Sequence, residues 1–115
     1  MNSKEFQSVT FKILEANSSQ LNSQLVTEEL LYQIANIAQL TVLEKSIHLF
    51  QPQGISATLI LSESHIAIHT WPETGEGYIT LTSCHYLPKE TLQEIKYQII
   101  ETLIAKQVIN KEVVC

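Results

Sequence analysis

The chain predicts an α+β fold, a two-layer sandwich in which two helices pack on one face of an antiparallel β-sheet. Three observations carry this. Short runs alternate apolar and polar positions, two longer runs repeat their apolar residues every three or four, and brief turn signals separate the strands. With 115 residues, 44% of them apolar and only three Gly and three Pro, residues 1–115 form a single domain with a real core and no long disordered tract.

Residues 8–15, "SVTFKILE", place Val9, Phe11 and Ile13 on one face and read as a strand. "ANSSQLNSQ" reads as a Ser/Asn-rich loop. Thr27 is a plausible N-cap, and Leu30, Leu31, Ile34, Ile37 and Ala38 then follow helical spacing over about 27–39. Residues 41–50 read as a strand, turned at Pro52 and Gly54. "ISATLILSE", "HIAIHTW" and "GYITLTSC" give three more. Pro88 opens a helix over about 88–106 with Leu92, Ile95, Ile99 and Leu103 on its buried face. The tail "VINKEVVC" suits a short edge strand.

In "SATLILS", Ala57, Leu59 and Leu61 take one face and Ile60 the other. Helices in a two-layer domain cover one sheet face, so the second face is expected to meet the same face of another copy, giving a homodimer stacked through its sheets. The alternative is a third layer from the long first loop, which is short of apolar residues.

All twelve acids are Glu and all seven bases are Lys, for a net charge of −5 without a basic cluster. That excludes nucleic acid as a favoured partner, and the lack of Arg removes the usual fork for a carboxylate or phosphate. A substrate with a cationic group fits better. No run of eighteen apolar residues exists and "MNSKEFQSVTF" lacks a signal-peptide core, so a cytoplasmic protein with no membrane partner is expected. Cys84 and Cys115 lie far apart and suit free thiols in a reducing compartment.

The unusual window is "LSESHIAIHTWPE", 61–73, which holds two of the four His and the one Trp. His65 and His69 share a strand face with Ala67 between them. As metal ligands they lack a third partner at recognised spacing, although Cys84 or His85 could serve; no metal is expected. As a hydrolase site, Ser64 or Ser62 with a His and Glu63 lacks the glycine-flanked elbow that exposes a nucleophile. Satisfied polar residues at a strand end are the plain alternative.

The window and its surroundings, "GISATLILSESHIAIHTWPE" followed by "YITLTSC", resemble the bacterial and archaeal S-adenosylmethionine decarboxylase proenzymes, small pyruvoyl-dependent enzymes. The resemblance also takes in "HLFQPQG" and a Cys twenty residues after Ser64. It implies autocatalytic serinolysis between Glu63 and Ser64. The hydroxyl attacks the Glu63 carbonyl, β-elimination breaks the chain into 1–63 and 64–115, and Ser64 becomes a covalent pyruvoyl group. That group would form a Schiff base with the substrate amine and act as the electron sink for CO2 loss. The product, decarboxylated S-adenosylmethionine, feeds spermidine synthesis.

By the same resemblance, His69 helps processing by removing the α-proton and Ser56 holds the scissile carbonyl. Cys84 is the catalytic acid, and thiols are mostly protonated at neutral pH. Glu73 meets ribose hydroxyls and Phe50 lies near the adenine. Trp71-Pro72 reads as a shape-setting turn, His65 as an orienting or packing residue, and His48 as structural. Three departures from the family pattern stand out: Glu76 where Tyr is usual, His85 where Gly usually follows the Cys, and an early "EANSSQLNS" without Asp. Glu76 could pair with a guanidinium or ammonium, so a pyruvoyl-dependent arginine or ornithine decarboxylase is the alternative. A non-catalytic regulatory paralogue is the third reading; intact Ser64, His69 and Cys84 speak against it.

Overall fold

The structure, a computed structural model, describes residues 4–115. The elements run β1 (Gln7–Leu14), α1 (Ser18–Leu21), α2 (Gln24–Ile37), β2 (Val42–Leu49), β3 (Ile55–Leu61), β4 (Ser64–Trp71), β5 (Glu76–Ser83), α3 (Lys89–Leu103) and β6 (Gln107–Val114). The six strands form one sheet in the order β2-β3-β4-β5-β1-β6, with every neighbouring pair antiparallel. The two-layer α+β expectation holds.

Period-two alternation builds the core. Val9, Phe11, Ile13, Ala57, Leu59, Leu61, Ile66, Ile68, Ile79 and Leu81 are buried on the helix side. Leu30, Leu31 and Ile34 of α2 and Leu92, Ile95, Ile99 and Leu103 of α3 close over them. The edge strand β2 is tied to α2 where Lys45 pairs with Glu28; that carboxylate, hydrogen-bonded to the ammonium, holds the Lys45 pKa above its ordinary value.

Several boundaries differ from the expectation, each for a local reason. The helix expected from Thr27 starts at Gln24, because Ser23 Oγ accepts from the Val26 N–H at 3.2 Å. The Thr27 hydroxyl instead donates to the Ser23 carbonyl, 2.9 Å away, and is buried. The Ser/Asn loop contains one helical turn, α1, capped by Asn17 and pinned by the fully buried Leu21. Pro88 caps α3 rather than opening it, and Ile104 ends the helix in left-handed backbone, φ 51°. The tail strand pairs along all of β1, from Gln7↔Val114 to Leu14↔Gln107.

No part of the described chain forms a third layer. α1 lies on the helix side, where the Thr70 hydroxyl donates to the Leu21 carbonyl at 2.9 Å. The opposite face carries Ser56, Thr58, Ile60, His65, Ala67, His69, Trp71, Tyr78, Thr80 and Thr82, half of them small. Its large apolar groups, such as Ile60 and Trp71, are exposed. No helix among the described residues is long and apolar enough to cross a membrane.

Phe11→Ala is expected to cost about 3–5 kcal/mol in denaturant unfolding, because it empties a fully buried ring site. Leu25→Ala, at an exposed position of α2, should stay within about 0.5 kcal/mol.

Candidate active site

The candidate residues gather in two clusters, at opposite ends of β4. The first surrounds the turn Ser62-Glu63, which joins β3 to β4 immediately after the Leu61↔Ser64 pair. Glu63 is exposed and has φ 56°, a left-handed conformation that a residue bearing Cβ adopts at a cost. Ser64 is buried, and its Oγ accepts a hydrogen bond from the Cys84 N–H at 2.9 Å. Cys84 Sγ lies 3.8 Å from the Ser62 carbonyl oxygen and 3.7 Å from His85 Nδ1.

Buried polar side chains fix the loop that carries Cys84. The Ser83 hydroxyl donates to the His85 carbonyl at 2.7 Å and receives the His85 N–H at 3.2 Å. Two residues on, the Leu87 N–H donates to Gln7 Oε1 at 2.7 Å, and Gln7 Nε2 reaches the Leu87 carbonyl and Glu112. Ser83 and Gln7 are at most 1% exposed, so each unmade bond would leave a desolvated polar group. A cavity of about 340 Å³ opens beside this turn, lined by Lys4, Phe6, Glu63, Thr82 and Cys84.

The second cluster lies on the open face at the far end of β3 and β4. Ser56 and His69 are register partners, and Ser56 Oγ is 2.6 Å from His69 Nδ1. The His69 ring packs on Tyr78 with centroids 5.0 Å apart, and Tyr78 stacks on Trp71 at 5.9 Å. A cavity of about 390 Å³ is lined by Phe50, Ser56, His69, Trp71 and Glu73. Trp71, expected to shape a turn, thus also forms a wall. His48 packs edge-on against Phe50 at 4.5 Å.

The loop of this cavity is held from behind. The Gly54 N–H donates to Asn22 Oδ1 at 3.0 Å, and the Phe50 N–H donates to the Gly54 carbonyl at 2.9 Å. Gly54 has φ 105°, and an added Cβ would stand 3.3 Å from the Thr70 carbonyl, so glycine is required there. The Thr70 hydroxyl accepts from the Ile55 N–H at 3.0 Å and completes the support.

Ser64 and His69 are not brought together within the chain. Five residues of strand separate them by about 17 Å and put them on opposite faces. A hydrolase arrangement of Ser64 with His69 does not form within the chain, since the hydroxyl partner of His69 is Ser56. No group of three or more metal-ligating side chains assembles among the described residues. Glu76 lines a different cavity, of about 410 Å³, with Thr10, Lys12, Trp71, Gly77 and Tyr78. The supports at Gln7, Asn22 and Ser83, and the Tyr78 stack, were not singled out from sequence. The long-range bonds of Gln7 and Asn22 leave no local pattern, the Ser83 bonds to His85 are local, and Tyr78 becomes findable once the β4–β5 register is set.

The family model described as S-adenosylmethionine decarboxylase matches residues 7–113. The chain belongs to the S-adenosylmethionine decarboxylase family. It is 37% identical over 99 residues to an S-adenosylmethionine decarboxylase proenzyme of Clostridium botulinum strain Hall, covering 84% of this chain and 82% of that one. Against the proenzyme of Synechococcus sp. strain WH7803 identity is 32% over 87 residues, covering 74% and 68%. The crystal structure of the adenosylmethionine decarboxylase from Aquifex aeolicus superposes with a TM-score of 0.81 over 97% of this chain and 91% of that one. At 22% identity it speaks to the shared fold.

Asn22→Ala should speed amide exchange at Gly54 about five- to tenfold, the loss of roughly one hydrogen bond, and leave Leu59 in the core of β3 unchanged. Hydrogen-exchange mass spectrometry across residues 50–61 reads both positions.

Proposed function

We propose that this chain is a self-processing, pyruvoyl-dependent S-adenosylmethionine decarboxylase that acts as a cytoplasmic homodimer. The observation that carries the reading is the Glu63–Ser64 peptide. It sits at a hairpin tip with Glu63 in left-handed backbone and the Ser64 hydroxyl held by the Cys84 N–H. Family membership supplies the chemistry for which such a peptide is suited.

Processing requires Ser64 Oγ to displace the Ser64 nitrogen from the Glu63 carbonyl carbon, turning an amide into an ester. Loss of the Ser64 α-proton then breaks the Cβ–Oγ bond and frees the Glu63 carboxylate. The residues present fit a pyruvoyl group derived from Ser64: a buried hydroxyl, the Cys84 N–H aimed at it, and the thiol of that same cysteine. Such a group supplies the electron sink that decarboxylation needs. Cys84 stands ready as the acid whose proton replaces CO2 on the substrate carbon.

Substrate class follows from the far cavity. Phe50 and Trp71 offer aromatic faces to an adenine or a sulfonium, and Glu73 offers a carboxylate for ribose hydroxyls or a cation. Its volume of about 390 Å³ lies within the range of small-molecule sites. Glu76, on which the arginine or ornithine alternative leaned, lines another cavity and shares it with Lys12, an ammonium already on hand. The nucleoside reading is therefore favoured.

The homodimer is proposed because one chain's site is incomplete. A base for the Ser64 α-proton is needed, and His69 of the same chain lies about 17 Å away. A second copy stacked on the open face, about 10 Å off with its strands reversed, would carry the partner's His69 to the Ser64 end. Ser56, Thr58, Ala67, Thr80 and Thr82 give that face a small-residue patch on which a second sheet can approach. Cys84 and Cys115, both free, suit a reducing cytoplasm.

Denaturing mass analysis should find fragments 1–63 and 64–115, the second with a blocked N-terminus, and a single chain for Ser64→Ala. An uncut wild-type chain after long incubation would overturn self-processing. CO2 release should occur with S-adenosylmethionine and not with arginine or ornithine; the reverse would overturn the substrate. Co-expressed Ser64→Ala and His69→Ala chains, each inactive alone, should regain about a quarter of wild-type activity, since half the dimers are mixed and each holds one complete site. No regain would overturn the shared site.

A further inference from the structure

The geometry points to His85 as the proton relay that reloads the Cys84 thiol from solvent after each turnover. This inference rests on the proposed decarboxylase reading, in which Cys84 gives its proton to the substrate carbon. Decarboxylation consumes one proton net, because a C–H bond replaces the bond to CO2. The thiol is therefore left as thiolate once per cycle and must be recharged from water.

Cys84 is only partly exposed, and two hydrogen-bonding groups approach its sulfur among the described residues. The Ser62 carbonyl, 3.8 Å away, can only accept. His85 Nδ1, 3.7 Å away, can donate, and the ring is exposed to solvent. Imidazole can exchange protons at both nitrogens, which suits it to shuttle between a sulfur and water. In the relay step the Nδ1–H bond breaks as the S–H bond forms, and solvent returns a proton to the ring.

A second, independent feature fixes the pair. The buried Ser83 hydroxyl takes the His85 N–H and donates to its carbonyl, so His85 has a backbone anchored at both groups although its ring is free. Cys84 is anchored in turn through its N–H to Ser64 Oγ. Glu63, Lys4 and Glu5 also border the cavity beside Cys84, and none makes a hydrogen bond to Sγ.

The test uses the processed wild-type enzyme with His85→Gly and His85→Gln, scored for CO2 release from S-adenosylmethionine. All three should cleave into two fragments, and their first turnover should match wild type, since the thiol begins loaded. Steady-state kcat should then fall about tenfold in both variants with KM little changed. Added imidazole should restore much of the rate to His85→Gly and none to wild type. Steady-state rates equal to wild type would overturn the relay, and so would a slowed first turnover or a loss that imidazole does not repair. Failure of the decarboxylase reading is separately visible, because the wild-type arm would then release no CO2.

Discussion

A strand shows alternate residues to opposite faces, and β4 separates its two chemical residues by an odd number of steps. Ser64 is turned toward the helices and buried, whereas His69 is turned to the open face. The same alternation sends Ile66 and Ile68 into the core and leaves Ala67 between the two His on the other side. No register slip can unite the clusters, because Ser64 and His69 would change faces together, and a one-residue slip would expose every core residue of the strand. The site is thereby divided by the very pattern that stabilises the sheet. A facing copy is the simplest way to join the halves.

Each half is held by polar groups that folding has removed from water. At the Ser64 end, Gln7 from β1 clamps both backbone groups of Leu87, and Ser83 clamps both of His85. At the cavity end, Thr70 links β3, β4 and α1, while Asn22 fastens Gly54. Except for the local Ser83 clamp, these bonds cross long stretches of sequence, which ties the position of the reactive loops to formation of the sheet. No buried side-chain nitrogen or oxygen among the described residues is left without a partner. Both loops are rigid for the same reason: releasing either would strand desolvated donors and acceptors.

Strands and helix faces were legible because burial imposes a period. Val9, Phe11 and Ile13, and likewise Leu92, Ile95, Ile99 and Leu103, are buried as their spacing requires. Helix ends were less legible, since Ser23 and Thr27 are both competent caps and only the packing of Thr27 decides between them. The candidate residues were legible as a block, through resemblance rather than periodicity. Their division into two clusters was also implicit in the odd spacing of Ser64 and His69, yet the clamps at Gln7 and Asn22 were not. Gln7 meets Leu87 across eighty positions, and no local rule links a strand-start Gln to a distant loop.

Topology would let the chain survive the cut proposed after Glu63. β1 belongs to the first fragment but lies between β5 and β6, which both belong to the second. β3 and β4 stay paired from Leu61↔Ser64 to Ser56↔His69, and α2 of one fragment packs with α3 of the other over a common core. A cut after Glu63 touches the ladder only at its terminal pair and leaves the register from Ile60↔His65 to Ser56↔His69 in place. It relieves the left-handed backbone of Glu63 and frees the start of β4. In the proposed cut Ser64 Oγ, which takes the Cys84 N–H beforehand, leaves with the Glu63 carboxylate, so residue 64 would be kept near Cys84 by its place at the start of β4.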